Sequence, residues 1–478
     1  MVDRSARLAI IVLALLGANM AAAAAAPDHL AGTLPPVTAT ADADARRSAA
    51  RAAAWREDLD VARDEFLRRD RSYSPAARAD ASHRLQRLRE RTGRLDDVQI
   101  AAELARIAAL AGNAHTRLYV LRNRGHWRRY PLRLWRFADG WRVVAAQGEA
   151  STLLGGRLTH VAGRPVDTVF ASLRPLFAGN DSWAQYMGSY TLTSPDALHA
   201  VGLVGVDGRA RFRVEQEGVA RSFALSPSPF ERRESAEESW WYLSPARDVG
   251  PAWQHALGAV PLPEFLRGAA VDYRFLRCDG DVIYVQFNRA VDTPGAETVA
   301  AWGERLLLEI EQRPPQRLVV DLRFNTGGDL TKARPLVEAI TASPLGRERG
   351  RIVVLSGEST FSAGITPLAV LRGTSEAIVV GHSPGDGTDF WAEGGNVMLP
   401  NSRLVLHYAD GLHSYSGHAR AIGLAEHIPL GLAVAYLAPD VAVPWLWADY
   451  AAGRDADVEA ALGAPLRCGT AESESLPR

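Results

Sequence analysis

The sequence predicts an α/β fold, and three observations predict it. Two short, wholly apolar runs, 318–320 and 352–355, have the composition of strands buried on both faces, with a helix-length segment between them. Further strand candidates at Val282–Phe287, 377–380 and 404–407, with a helix at 296–312, extend this into a βαβαβ rhythm. Right-handed crossovers turn such a rhythm into a largely parallel sheet. The third observation is chemical. One run feeds Asn325-Thr326-Gly327-Gly328, whose glycines let the backbone approach a ligand closely. The other feeds Ser359-Thr360-Phe361-Ser362-Ala363-Gly364, a hydroxyl among small residues. Adjacent parallel strands bring both loops to the carboxyl edge of the sheet, where ligand sites of α/β folds lie.

The chain has 478 residues, 47% hydrophobic and 23% charged, a length that predicts two or three domains. Its net charge of −1 gives it no electrostatic attraction to nucleic acid or to anionic membranes. Among 54 basic residues the sole lysine is Lys332.

Residues 1–26 have the layout of a secretory signal peptide: Arg4 and Arg7, an apolar core at 8–16, and an alanine tract at 21–26. That core is short for a permanent membrane anchor, and no nearby cysteine offers a lipid attachment. A periplasmic or secreted protein without a stable membrane span is expected. Cys278 and Cys468 can pair in such a compartment, although two distant cysteines do not establish a disulfide.

Residues 27–45, rich in Pro, Ala and Asp, read as a linker. A helical domain is expected over 46–117. Trp55, Leu59, Ala62 and Phe66 share one helix face, Ser74-Pro75 opens a second helix, and Asp97 can cap a third. Gly112-Asn113-Ala114-His115-Thr116 then places a histidine just past a helix end. From 118 to 225 the pattern is β-rich, with strands at 133–137, 141–145, Arg157–Val161 and 211–215, interrupted by a helical stretch at 180–203. The strand–turn–helix run 155–166 looks like the later half of a PDZ domain, a module that takes peptide termini by strand addition, so a degenerate PDZ-like module is expected. Residues 226–268 read as a connector crossing the surface, 269–462 as the catalytic domain and 463–478 as a tail.

Within the two loops, Ser362 is the candidate nucleophile, and the amides of Gly327, Gly328 and Ala363 are candidate oxyanion donors. Further motifs follow. Val320-Asp321-Leu322-Arg323-Phe324-Asn325-Thr326-Gly327-Gly328 precedes Thr360-Phe361-Ser362-Ala363, and later come Leu399-Pro400-Asn401-Ser402, Ala438-Pro439-Asp440-Val441-Ala442-Val443 and Asp449-Tyr450-Ala451-Ala452-Gly453-Arg454-Asp455. In order and spacing, residues 273–460 resemble the catalytic domain of the tail-specific, or carboxy-terminal processing, serine peptidases, in an exported bacterial branch. The resemblance implies a ClpP/crotonase-type catalytic domain with Ser362 as nucleophile and a peptide or protein as substrate. Neither cofactor nor metal is implied.

Two departures bear on mechanism. The best-known branch pairs its serine with a lysine some 25 residues on. Here residues 380–388 hold no lysine, and Lys332 reads as a solvated cation at a helix start. Tricorn-type relatives use a histidine placed before the PDZ-like module, which corresponds to His115. An imidazole suits base work near neutral pH. The group orienting it can be Glu393, Glu426 or Asp440. His382, His407, His413 and His418 compete, and their scatter is not a metal-ligand pattern. Asp321 and Arg323 read as a structural pair. Two other readings share the fold. One is a non-catalytic protein binding peptides or apolar ligands, as retinoid-binding relatives do, favoured by the missing lysine and by Asn113 in place of the usual Asp. The other is an acyl-CoA enzyme, disfavoured by the export signal.

Overall fold

The apolar runs form the centre of a six-stranded sheet. Its order is Val441–Ala442, Ile378–Gly381, Ile352–Ser356, Arg317–Asp321, Val282–Phe287 and Tyr273–Cys278. The first five strands are mutually parallel and Tyr273–Cys278 adds an antiparallel edge. Register pairs Val320 with Val354 and Asp321 with Leu355, so the loops leaving these two strands emerge side by side. Strand alternation sends Ile283, Val285, Leu318, Val320, Ile352 and Val354 to one face. There they meet the helices Val299–Gln312, Leu330–Ala342 and Ile365–Thr374 through Trp302, Leu306, Leu336, Ile340 and Leu368. Tyr284, Val319, Val353 and Leu355 fill the opposite face against Val443 and Val458.

This computed structural model describes residues 37–469 except 123–125, 229–237, 248, 251 and 259. The signal peptide, residues 27–36 of the linker and residues 470–478 of the tail lie outside the described residues. The chain divides into two compact units, 1–49 and 50–478. Residues 37–45, expected as linker, are instead helical, within Val37–Val61. Their alanines favour helix, and alternating Asp there costs little. No helix among the described residues is long and apolar enough to cross a membrane.

In the second unit an N-terminal helical region comes first. Pro75–Arg91 is capped by Ser74, and Asp97–Ala109 is capped by Asp96 rather than Asp97, through a capping box with Gln99. An antiparallel sheet follows, built from Leu132–Phe137, Gly140–Gln147, Arg157–Val161, Ala210–Gln216 and Val219–Leu225. Its helical interruption is Asp181–Thr191 and Pro195–Ala200, opened by Asn180 and Ser194 as N-caps.

The described part of the connector, from 238 on, is not a surface crossing. Trp240, Tyr242, Leu243, Phe265 and Leu266 are buried, Trp240 stacks on Phe324 (centroids 4.6 Å apart), and Trp253–His255 joins the antiparallel sheet. Its tryptophans look amphipathic in sequence, yet they fill the seam between the two sheets. Asp321 and Arg323 are the structural pair expected. The Arg323 guanidinium is buried among Asp321 (2.6 Å), Asp455 (2.8 Å) and Asp457 (2.9 Å).

Cys278 and Cys468 form a disulfide across 190 residues. Cross-linking so long a loop restricts the unfolded chain strongly. Replacing both cysteines by serine is expected to lower stability by about 2–4 kcal/mol. The check is the denaturant midpoint of the double variant against that of the oxidised protein.

Candidate active site

Asn325, with 0% of its surface exposed, decides where the two loops meet. Its Nδ2 donates to Phe287 O (2.8 Å), its Oδ1 accepts from Gly327 N (3.1 Å), and its carbonyl accepts from Phe361 N (2.9 Å). One residue thus ties the end of Val282–Phe287, the glycine loop and the serine loop. Gly364 is needed beside it, because a Cβ there would sit 2.4 Å from Asn325 O.

Gly327 and Gly328 have φ of +116° and +128°, open essentially to glycine alone. A Cβ on Gly327 would lie 2.8 Å from the Ser362 Cβ, and one on Gly328 would lie 2.4 Å from Ala290 O. The glycine loop therefore lies directly against Ser362. The Gly327 amide, expected as an oxyanion donor, is engaged by Asn325. The Gly328 and Ala363 amides make no hydrogen bond to a described residue. Ser362 itself holds φ +57°, a left-handed conformation that costs a non-glycine residue on the order of 1–2 kcal/mol. Strain of this kind concentrates at functional turns.

His115 arrives from the other end of the chain. Thr116 Oγ1 donates to Asp70 Oδ2 (2.6 Å), and the strand Arg117–Leu118 pairs with Val405–Tyr408, which fixes the backbone on both sides of the histidine. Its ring is stacked between Phe361 (4.5 Å, 15° between planes) and Phe390 (5.6 Å, 8°). The column continues to Trp183 beyond Phe361 (3.8 Å) and to His413 beyond Phe390 (5.2 Å).

The acid that meets His115 is none of those expected. Asp386 Oδ2 lies 3.2 Å from His115 Nε2 and accepts from Ser362 N at 3.0 Å, so one carboxylate oxygen joins the histidine to the serine loop. A carboxylate can only accept, so the tautomer that pairs with it carries its proton on Nε2 and keeps its lone pair on Nδ1. Nδ1 has no hydrogen bond to a described residue, and neither has Ser362 Oγ; the direct serine–histidine bond is not formed. Burial holds the His115 pKa below 6.5, and Asp386 opposes that shift without cancelling it. The neutral imidazole is therefore the prevailing form at pH 7.

Asp386 is held in turn. Gly385 N donates to Thr360 O (2.8 Å) and Asn180 Nδ2 to Pro384 O (2.9 Å). Of the expected orienting acids, Glu393 reaches the cavity but pairs with His413 (3.1 Å). Asp440 is taken by Arg372 and the Val379 amide, and Glu426 faces Arg420. The signal for Asp386 was its place between Gly385 and Gly387, 24 residues after Ser362, which reads equally as a turn.

The other histidines divide. His382 lies away from the cavity, bonded to Glu358 (2.6 Å) and Val443 O (2.6 Å). Burial disfavours its charge, but Glu358 overrides this and raises its pKa to about 9. His407 lines the cavity, and burial followed by the charge of Arg117 lowers it to about 4. His418 is exposed, and Lys332 pairs with Asp292 at a helix start. No group of three or more His, Cys, Asp or Glu among the described residues is arranged to hold a metal ion. His115, Gly327, Gly328 and Ser362 together line a cavity of about 410 Å³.

No protein-family model and no curated protein matches the chain. Solved structures do. Mature CPAF complexed with lactacystin aligns at TM-score 0.53 and 13% identity over 85% of this chain and 96% of that one. Mature CPAF alone aligns at 0.53 and 13% over 87% and 96%. The photosystem II D1 C-terminal processing protease aligns at 0.36 and 13% over 85% and 98%. The likeness to CPAF shows that the α/β fold with its N-terminal helical region is shared nearly end to end.

His115 is expected to titrate below pH 6.5, and Asp386→Asn to move its midpoint lower still, since the partner that raises it is lost. Histidine Cε1–H shifts followed by NMR across pH 4–8 check both.

Proposed function

We propose that this chain is an exported serine-type peptidase of the tail-specific family, cleaving peptide bonds through Ser362. The observation that carries the reading is the convergence, at one cavity, of a serine in a strained left-handed turn with two unengaged amides and a neutral imidazole. Ser362 Oγ attacks the substrate carbonyl as its proton passes to His115 Nδ1. The Gly328 and Ala363 amides receive the developing oxyanion, and Asp386 steadies the imidazolium through Nε2. The imidazolium then protonates the leaving amine, and water attacks the acyl-enzyme by the same route in reverse. Hydroxyl–imidazole contacts in substrate-free sites are commonly open and tighten with substrate bound.

Export is supported by the layout of residues 1–26 and by the Cys278–Cys468 disulfide, since such bonds persist in oxidising compartments. The exposed edge strand Val219–Leu225 of the antiparallel module offers a place for PDZ-like strand addition by a peptide. A second reading, a non-catalytic peptide binder, is favoured by the missing bond between Ser362 Oγ and His115.

A fluorophosphonate probe separates the two. Wild type is expected to be labelled and Ser362→Ala to be silent. His115→Ala is expected to label roughly 10²–10⁴-fold more slowly, the range for loss of a general base. Labelling that survives Ser362→Ala removes the nucleophile, and no labelling of wild type favours the binder.

A further inference from the structure

The cavity beside Ser362 carries five charged side chains besides its histidines, and their pairing is uneven. Arg122 and Glu238 answer each other in a buried bidentate pair, Nη2 to Oε1 at 2.6 Å and Nε to Oε2 at 3.2 Å. Glu393 is answered by His413 at 3.1 Å and faces His427 at 4.0 Å. Among the described residues that leaves two guanidinium groups without a carboxylate, Arg117 and Arg289.

Among the described residues, both make contacts with neutral groups. Arg117 donates to Ala114 O (3.2 Å) and Tyr119 Oη (3.2 Å) and lies over the Tyr119 ring at 4.9 Å. Arg289 lies 6.0 Å from the Trp241 ring centre and has no ion pair with a described residue. Its backbone is fixed on each side. Asn288 Nδ2 donates to Gly268 O and Val271 O, and Ala290 N donates to Gly327 O (2.9 Å). Arg289 is therefore one residue from the contact that holds the glycine loop, and Arg117 is two residues from His115. Both half-buried cations line the cavity that holds Ser362.

An unpaired guanidinium in a concave, partly desolvated site is an anion receptor, and Arg presents a planar fork that fits a carboxylate with two parallel bonds. We propose that Arg117 and Arg289 hold a substrate carboxylate beside the scissile bond, so that the cavity selects acidic peptides. This rests on the reading of the cavity as a peptide site. The carboxylate has two sources, an Asp or Glu side chain or the chain terminus of the peptide. The Arg122–Glu238 pair takes no part, its charge being satisfied internally.

Binding to the Ser362→Ala protein tests this apart from catalysis. Fluorescence anisotropy compares peptides that contain Glu with the same peptides containing Gln, each with a free or an amidated C-terminus. The Glu peptides are expected to bind at least about tenfold more tightly, a preference that weakens as salt rises. In the Ser362→Ala background, Arg117→Gln and Arg289→Gln together are expected to bring the ratio to about one. Arg289→Glu is expected to favour Lys-containing peptides. A preference that follows the free terminus and not the Glu side chain assigns the carboxylate to the peptide end. Equal binding of acid and amide peptides, or a preference that persists in the double Gln variant, overturns the proposal. Fluorophosphonate labelling of the Arg variants with Ser362 intact shows whether the site is still assembled. If wild type is not labelled but the acid preference is present, the peptidase reading fails and the receptor stands.

Discussion

Everything at the site depends on one buried amide. Asn325 uses both ends of its side chain and its own carbonyl to hold three segments at a common point. Burying a primary amide is costly unless its donors and acceptors are met, and here its partners are backbone groups of the sheet end and the glycine loop, while the main-chain carbonyl takes the serine loop. The sheet sets where its strands end. Asn325 sets how the loops leaving them face each other. The positive φ of Gly327, Gly328 and Ser362 follows, because the chain must turn sharply to bring the glycine loop against the serine without a Cβ between them.

A second ordering element runs across the first. The column Trp183, Phe361, His115, Phe390, His413 draws rings from five separate segments of the chain. Each stacked pair contributes on the order of 0.5–1.5 kcal/mol beyond its buried area. The column does more than fill space. It removes His115 from water, which keeps the imidazole neutral, and it sets the ring plane so that Nε2 meets Asp386. Packing and acid–base character have the same cause here.

The sheet was legible in sequence because doubly buried strands are unbroken apolar runs, and 318–320 and 352–355 fall inside Arg317–Asp321 and Ile352–Ser356. Ser362 and the glycine pair were legible because their loops follow directly from those runs. His115 was reached only through resemblance, since nothing local marks it. Asp386 escaped because a lone Asp between glycines looks like a turn; its role comes from Gly385 hanging on Thr360 and Asn180 holding Pro384, contacts that no local pattern encodes. The connector was misread for a related reason. Tryptophan mixed with charge suits a surface segment and an interior seam equally until the partner, Phe324, is known.

The His115–Asp386 contact spans 271 residues. Both partners are present only once the chain has reached residue 386, and long-range contacts of this kind form late in folding. The surroundings of Ser362 described above therefore belong to the folded chain and to no early fragment of it.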